Sequence, residues 1–221
     1  MLSRIEYVFN NGIGPRTLLK SWRIYRKTQA YRDGRSVRYF LINGNTIVNL
    51  DKNARIINKG TFRCGLKNSG SMISSAPCII DMGENSKIVI NGSIETGSGV
   101  LISVNKQATL ELGDNITINS NTKIICSSSI KIGNGSIISW DVEIRDTDFH
   151  TVLQDNYHIC KPIEIGEHVW IGSRATICKG VKIGSGSVIA CGSIVTKNVP
   201  NKCIAAGVPA TIVREKIDWK I

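Results

Sequence analysis

Branched aliphatic residues fall on every sixth position of the C-terminal half without a slip: Ile165, Ile171, Ile177, Ile183, Ile189 and Val195. The fifth residue of each unit is small or β-branched: Val169, Ala175, Val181, Ser187, Ser193 and Val199. The second is Gly166, Gly172, Cys178, Gly184, Ala190 or Thr196. A period of six suits neither a free helix, at about 3.6, nor a lone strand, at about 2. It predicts a solenoid with three flat sides per coil, each side one hexad long. The first position would fill the prism and the fifth would point inward near a corner. A glycine at the second position allows the backbone to turn where a side chain would crowd it. The predicted fold is therefore all-β, a parallel β-helix, and coils of this hexapeptide kind are left-handed, against the usual right-handed crossover.

The same beat is audible at Leu112, Ile118 and Ile124, and restarts at Ile132, Ile138 and Ile144 after two added residues, Ile130 and Lys131. Residues 41–111 carry only a loose version, in which Ile90, Thr96 and Ile102 keep the step. Turn signals at Asn43-Gly44, Asn58-Lys59-Gly60 and Asn68-Ser69-Gly70-Ser71 set no firm register there. The division predicted is a basic, partly helical arm over 1–40, irregular early coils over 41–111 and a regular β-helix over 112–203. A C-terminal turn and cap helix over 204–221 would follow, with Gly207-Val208-Pro209 as the turn and the helix from about Ala210. Such a helix would cover the exposed last coil.

Between Ile144 and Ile165 the beat breaks, and an extruded loop over 145–164 is expected. It contains Asp146, Asp148 and His150. Histidine, with an unperturbed pKa of about 6.5, suits proton transfer at neutral pH. A carboxylate beside it can hold the ring tautomer and stabilise the imidazolium. Asp146 and Asp148 compete for that role. Asp148 falls where an inward fifth position would lie, so a charge there needs a partner. The alternative is a polar loop with a solvated histidine.

Charge changes the picture at the N-terminus. The chain carries +11, and residues 1–40 hold nine bases against Glu6 and Asp33. Leu18, Leu19, Trp22 and Tyr25 have roughly helical spacing within that arm. Two readings follow: a helix that packs its apolar stripe on the body and caps the scaffold, or a basic amphipathic helix in peripheral contact with a membrane. No nucleic-acid module accompanies the charge, so no nucleic acid is expected as a partner. No stretch reaches the roughly 20 apolar residues of a membrane span. The N-terminus lacks the apolar run of a secretory signal. The seven cysteines include no C-x-x-C pair and read as reduced, mostly buried thiols. The expected compartment is the cytoplasm, with peripheral contact at the inner membrane face as the alternative that the second reading of the arm leaves open.

The run from Ile165 to Gly184, with the ending Val195-Thr-Lys-Asn-Val-Pro and Ala205-Ala-Gly-Val-Pro-Ala210, resembles the hexapeptide-repeat acyltransferases. Ile138-Ser-Trp-Asp, Asp146-Thr-Asp-Phe-His150 and Trp170 most resemble the polysaccharide and sugar O-acetyltransferases of that superfamily. The resemblance implies a homotrimer with active sites between neighbouring β-helices, acetyl-CoA as donor and a saccharide or glycan hydroxyl as acceptor. It implies His150 as general base. Donor-binding positions would be Trp170, Ser173, Ala190, Cys191, Lys197 and Arg214. A role in surface polysaccharide biosynthesis follows from the same likeness.

Rival readings remain. Serine, an antibiotic or a nucleotide amino sugar could be the acceptor, or the chain could be a non-catalytic assembly subunit. Zinc, used by γ-type carbonic anhydrases on this scaffold, needs three convergent ligands. The three histidines His150, His158 and His168 lack a paired ligand spacing, so no metal is expected.

Overall fold

The computed structural model describes residues 14–28, 40–66 and 76–220. The rest of the basic arm and the turn expected at Asn68–Ser71 lie outside the described residues. Among the described residues, twenty-two short strands wind into three sheets of nine, seven and six strands. Successive strands step from the first sheet to the second to the third, then return one coil further on. Within the coils all pairings are parallel and join residues of like kind. The prism interior is a continuous column of aliphatics, in which Ile171, Ile177 and Ile189 are fully buried. Ser187 and Ser193 occupy inward fifth positions and are also buried.

The irregular early coils belong to the same three sheets. In the early coils Ile80 pairs with Ile102, and Ile102 with Ile124. The step is shorter where Leu112 pairs with Ile132. It falls to three hexads where Ile171 pairs with Ile189 and Ile177 with Val195, and is shorter again where Ile189 pairs with Ala205. The coil thus contracts along the chain. Early strands are longer than late ones, as at Lys87–Ile90 against Val188–Ile189. Corners turn through left-handed residues, among them Asn85 (φ 58°), Asn121 (φ 61°) and Asp141 (φ 58°). Asn and Asp tolerate that region better than other side-chain-bearing residues.

Helix α1, Pro15–Thr28, packs against the first strand, Phe40–Ile42. It covers the end of the scaffold, but the expected packing of its apolar stripe on the body is not what occurs. Thr17, Ser21 and Ile24 are buried, whereas Leu18, Leu19 and Trp22 are exposed. The reason is the open edge of the first coil, whose backbone groups need partners. Ser21 Oγ accepts from the Ile42 amide at 2.9 Å and donates to the Thr17 carbonyl at 2.6 Å. Lys20 Nζ donates to the carbonyls of Gly44 (3.3 Å) and Thr46. Short hydroxyls close this edge, and the apolar stripe is left outside.

The C-terminal helix is a correction. Ile204–Gly207 and Ala210–Arg214 pair antiparallel across the turn at Val208 and Pro209, and no helix occurs among the described residues beyond it. Thr211, Ile212 and Val213 are β-branched and favour a pleated surface. A strand also satisfies the edge of Ile204–Gly207 with its own backbone, which a helix cannot do. The tail then crosses the last coil, where the Ile217 amide donates to the Lys202 carbonyl.

Candidate active site

The interrupted beat becomes a loop at one corner of the prism. Glu143–Arg145 belongs to the second sheet and Ile163–Ile165 to the third, so the intervening residues project between them. The loop leaves on a short stalk. Thr147 and Cys160 form an antiparallel bridge, the Lys161 amide donates to the Asp146 carbonyl (2.9 Å), and the Asp148 amide donates to the Ile159 carbonyl (3.0 Å). Beyond the stalk, Phe149 takes a left-handed φ of 62°. That conformation is uncommon for a bulky residue. The next residue is His150, exposed to solvent, with its amide donating to the Asp148 carbonyl at 2.7 Å.

The two aspartates divide differently from expectation. Asp146, not Asp148, is the inward carboxylate, fully buried. Its oxygens accept from the amides of Ser127 (2.6 Å), Ser128 (2.8 Å) and Ser129 (2.8 Å). It therefore stitches the corner of the preceding coil to the base of the loop. The Cys126 thiol beside it is pushed up, by burial first and by the carboxylate second. Asp148 is half-buried and faces a clamp. Its Oδ2 accepts from the Tyr157 hydroxyl at 2.6 Å and pairs with Lys179 Nζ at 2.6 Å.

Lys179 lies over the Tyr157 ring at 4.0 Å and also donates to the His158 carbonyl. The Tyr157 hydroxyl is 3.2 Å from the His150 carbonyl oxygen. Hydrogen bonds from Lys179 and then Tyr157 hold the Asp148 carboxyl below the usual carboxylate range. Neither aspartate is hydrogen-bonded to the His150 ring; Asp148 acts on His150 through the backbone and Tyr157. The sequence alone does not single out Tyr157 and Lys179, because only the coil register brings Lys179 beneath the loop.

The other nominated residues occupy different parts of the prism. Trp170 stands outward on the first sheet, half-exposed, with Nε1 donating to Ser139 Oγ at 3.2 Å. Ser173 lies at the next corner, between first and second sheets, where its carbonyl accepts from the Gly192 amide at 2.9 Å. Ala190 and Cys191 lie one coil further along that same corner, Cys191 exposed. Lys197 is exposed and follows Ile194–Val195, at the corner that carries His150. Arg214 ends the C-terminal hairpin, opposite Ile204.

Within one chain, then, His150 and Lys197 share a corner, while Ser173, Ala190 and Cys191 share another. A surface groove of about 470 Å³, lined by Lys131, Glu164, Lys182 and Asn198 among others, contains none of these nominated residues.

One aromatic carries no signal in the sequence. Trp219, from the C-terminal tail, stacks on His168 with ring centroids 3.9 Å apart and planes at 3°. Its Nε1 donates to the His168 carbonyl at 3.1 Å, and His168 Nε2 lies 3.0 Å from the Trp219 carbonyl oxygen. Trp219 also stands 6.0 Å from the Trp170 ring, tilted by 45°. The tail thus extends the aromatic surface that begins at Trp170.

Comparison with known proteins agrees with this architecture. Residues 162–197 match the family model described as bacterial transferase hexapeptide (six repeats). A 54-residue stretch is 57% identical to the galactoside O-acetyltransferase of Escherichia coli (strain K12), covering 24% of this chain and 27% of that protein. A 64-residue stretch is 45% identical to the putative acetyltransferase SAV2555 of Staphylococcus aureus (strain Mu50 / ATCC 700699), covering 29% and 32%. The aligned stretches therefore span less than a third of these curated relatives.

Two solved structures are similar over most of the chain. The polysialic acid O-acetyltransferase OatWY superposes with a TM-score of 0.64 at 26% identity, over 81% of this chain and 86% of that one. The polySia specific acetyltransferase NeuO gives 0.57 at 28% identity, over 79% and 89%. With its three-sheet prism and these likenesses, the chain is similar in fold to the acetyltransferases compared, and residues 162–197 carry the bacterial transferase hexapeptide repeat.

Proposed function

We propose that this chain is an acetyltransferase that moves the acetyl group of acetyl-CoA to a saccharide hydroxyl, with His150 as general base. The observation that carries the reading is the placement of His150. It is an exposed histidine just beyond the stalk of the loop interrupting the coils, next to a left-handed Phe149 and beside the clamp of Asp148, Tyr157 and Lys179. The named activities of the relatives, galactoside and polysialic acid O-acetylation, support a saccharide acceptor. Surface polysaccharide, such as a capsule, exopolysaccharide or O-antigen, is the acceptor class that fits best, worked on from the cytoplasmic side.

In this reading the imidazole of His150 takes the proton of the acceptor hydroxyl. The oxygen forms a bond to the thioester carbonyl carbon, the tetrahedral intermediate collapses, and the carbon–sulfur bond breaks. The proton passes from the imidazolium to the departing thiolate. Holding two substrates in register supplies much of the acceleration, and a general base adds about 10²- to 10⁴-fold. Donor binding falls to exposed Trp170, to Ser173, Ala190 and Cys191 along the opposite corner, and to Lys197 and Arg214 as cations for phosphate. Asp148 is a positioning residue; Asp146 supports the loop base.

His150 and Ser173 stand on different corners of one prism. A groove using both therefore joins His150 of one copy to Trp170 and Ser173 of the partner subunit, which favours a homotrimer in which each site is shared. The reading is tested by radiolabelled acetyl transfer from acetyl-CoA to a panel of oligosaccharides. His150→Ala should lower turnover by about 10²-fold or more while leaving CoA affinity nearly intact. Near-normal turnover in that variant would remove the histidine from the chemistry.

A further inference from the structure

Helix α1 is built the wrong way round for a simple cap. Its buried face is largely polar, with Thr17 and Ser21 beside Ile24. Its outer face holds Leu18, Leu19 and Trp22, exposed by 45%, 50% and 42%. Edge capping explains the inner face, since Ser21 satisfies the Ile42 amide, but nothing in that role calls for two leucines and a tryptophan in water. Scattered single apolar residues need no explanation; three adjacent ones on one helical surface do.

Charge identifies the occupant. The helix sequence Pro15–Thr28 contains Arg16, Lys20, Arg23, Arg26 and Lys27 and no acidic residue. Arg16, Arg23 and Arg26 are exposed, and the Arg26 guanidinium lies 4.9 Å from the centre of the Trp22 ring. Lys20 is turned inward to the Gly44 and Thr46 carbonyls, so the three arginines are free to meet an external anion. A second copy of the same face would bring like charges together. An anionic lipid surface matches both features: apolar side chains enter the headgroup boundary, tryptophan settles at the interface, and arginines meet the phosphates.

We propose that α1 docks the protein peripherally on an anionic bilayer through Leu18, Leu19 and Trp22, ringed by Arg16, Arg23 and Arg26. The helix lies against the first strand, at one end of the prism. In an assembly of parallel prisms every copy would present this face on the same side, and weak single contacts would add by avidity. The inference does not rest on the transferase reading: a protein without that activity could dock in the same way.

The test is co-sedimentation of the full chain with vesicles of phosphatidylcholine alone and with about a third phosphatidylglycerol, at low and high salt. Expected is binding to the anionic vesicles only, weakened by salt. The triple variant Arg16→Glu, Arg23→Glu, Arg26→Glu should lose about a hundredfold in affinity or more. The variant Leu18→Ser, Leu19→Ser, Trp22→Ser should lose about tenfold or more. All six positions are exposed, so unchanged circular dichroism is expected for both. Equal binding to neutral vesicles, or undiminished binding by both variants, would overturn the proposal. So would an apolar-face variant that changes the oligomeric mass while the wild type ignores vesicles, because the face would then be a contact between copies. Acetyl transfer is read separately, and its absence would leave the lipid result standing.

Discussion

Two aspartates two residues apart serve different ends, and each predicts its own phenotype. Asp146 accepts three backbone amides in a fully buried position. Asp146→Ala strands those donors, and a loss of about 3–5 kcal/mol in denaturant unfolding is expected; a loss below about 1 kcal/mol would show that the corner repairs itself. Asp148 acts instead through Tyr157 and Lys179. Tyr157→Phe should lower kcat about five- to tenfold with the donor KM unchanged. Wild-type kcat in that variant would separate the clamp from the aim of His150.

The pH window of the clamp follows from the same contacts. The Asp148 carboxyl is held low by Lys179 and Tyr157, so its contribution is complete above the ordinary aspartate value, about 3.9, and drains as pH falls through the lower folded value. Partial burial opposes the Lys179 ammonium, yet its bonds to Asp148 and Tyr157 outweigh that and hold it above the usual lysine range. Its contribution is complete below the ordinary lysine value, about 10.4, and is lost as pH rises through the higher folded value. Proteolytic nicking of the loop should therefore be slow and flat from about pH 5 to 9 and faster in Lys179→Met throughout. A wild-type loop that loosens near pH 7 would assign the clamp to other groups.

At the scale of elements, α1 shows how an unpaired edge dictates which face a helix buries. Ser21→Ala removes the acceptor for the Ile42 amide, and a cost of about 1–2 kcal/mol is expected. Leu19→Ser, on the outer face, should cost less than about 0.5 kcal/mol. A reversal of that order in thermal melts would mean that the apolar stripe does pack on the body. Apolar spacing points to the helix but does not say which side is wet, because the deciding partners are backbone groups of Phe40–Ile42.

The coils are legible where they contract to three hexads, since corner and side lengths then repeat in step. The longer early coils hide the beat behind longer strands and extra corner residues. The C-terminal hairpin is masked by its cations, Arg214 and Lys216, although Thr211-Ile212-Val213 carries a strand signal. His150 is legible as the residue at the break. Its clamp is not, because Tyr157 and Lys179 meet only once the loop is folded over the next coil.

At the scale of the whole molecule, the proposed transferase reading gives each chain two half-sites. His150 lies at the corner between the second and third sheets, and Ser173 lies between the first and second. A chain lacking one half should therefore be rescued by a chain lacking the other. The most direct measurement is acetyl transfer by mixed assemblies of His150→Ala and Trp170→Ala chains, co-refolded in equal amounts. Each variant alone should be nearly inactive. Random assortment then rebuilds a wild-type interface at about one position in four, and about a quarter of wild-type turnover should return. Turnover no greater than the mean of the two single variants, in assemblies shown to be mixed, would contradict a site shared between copies.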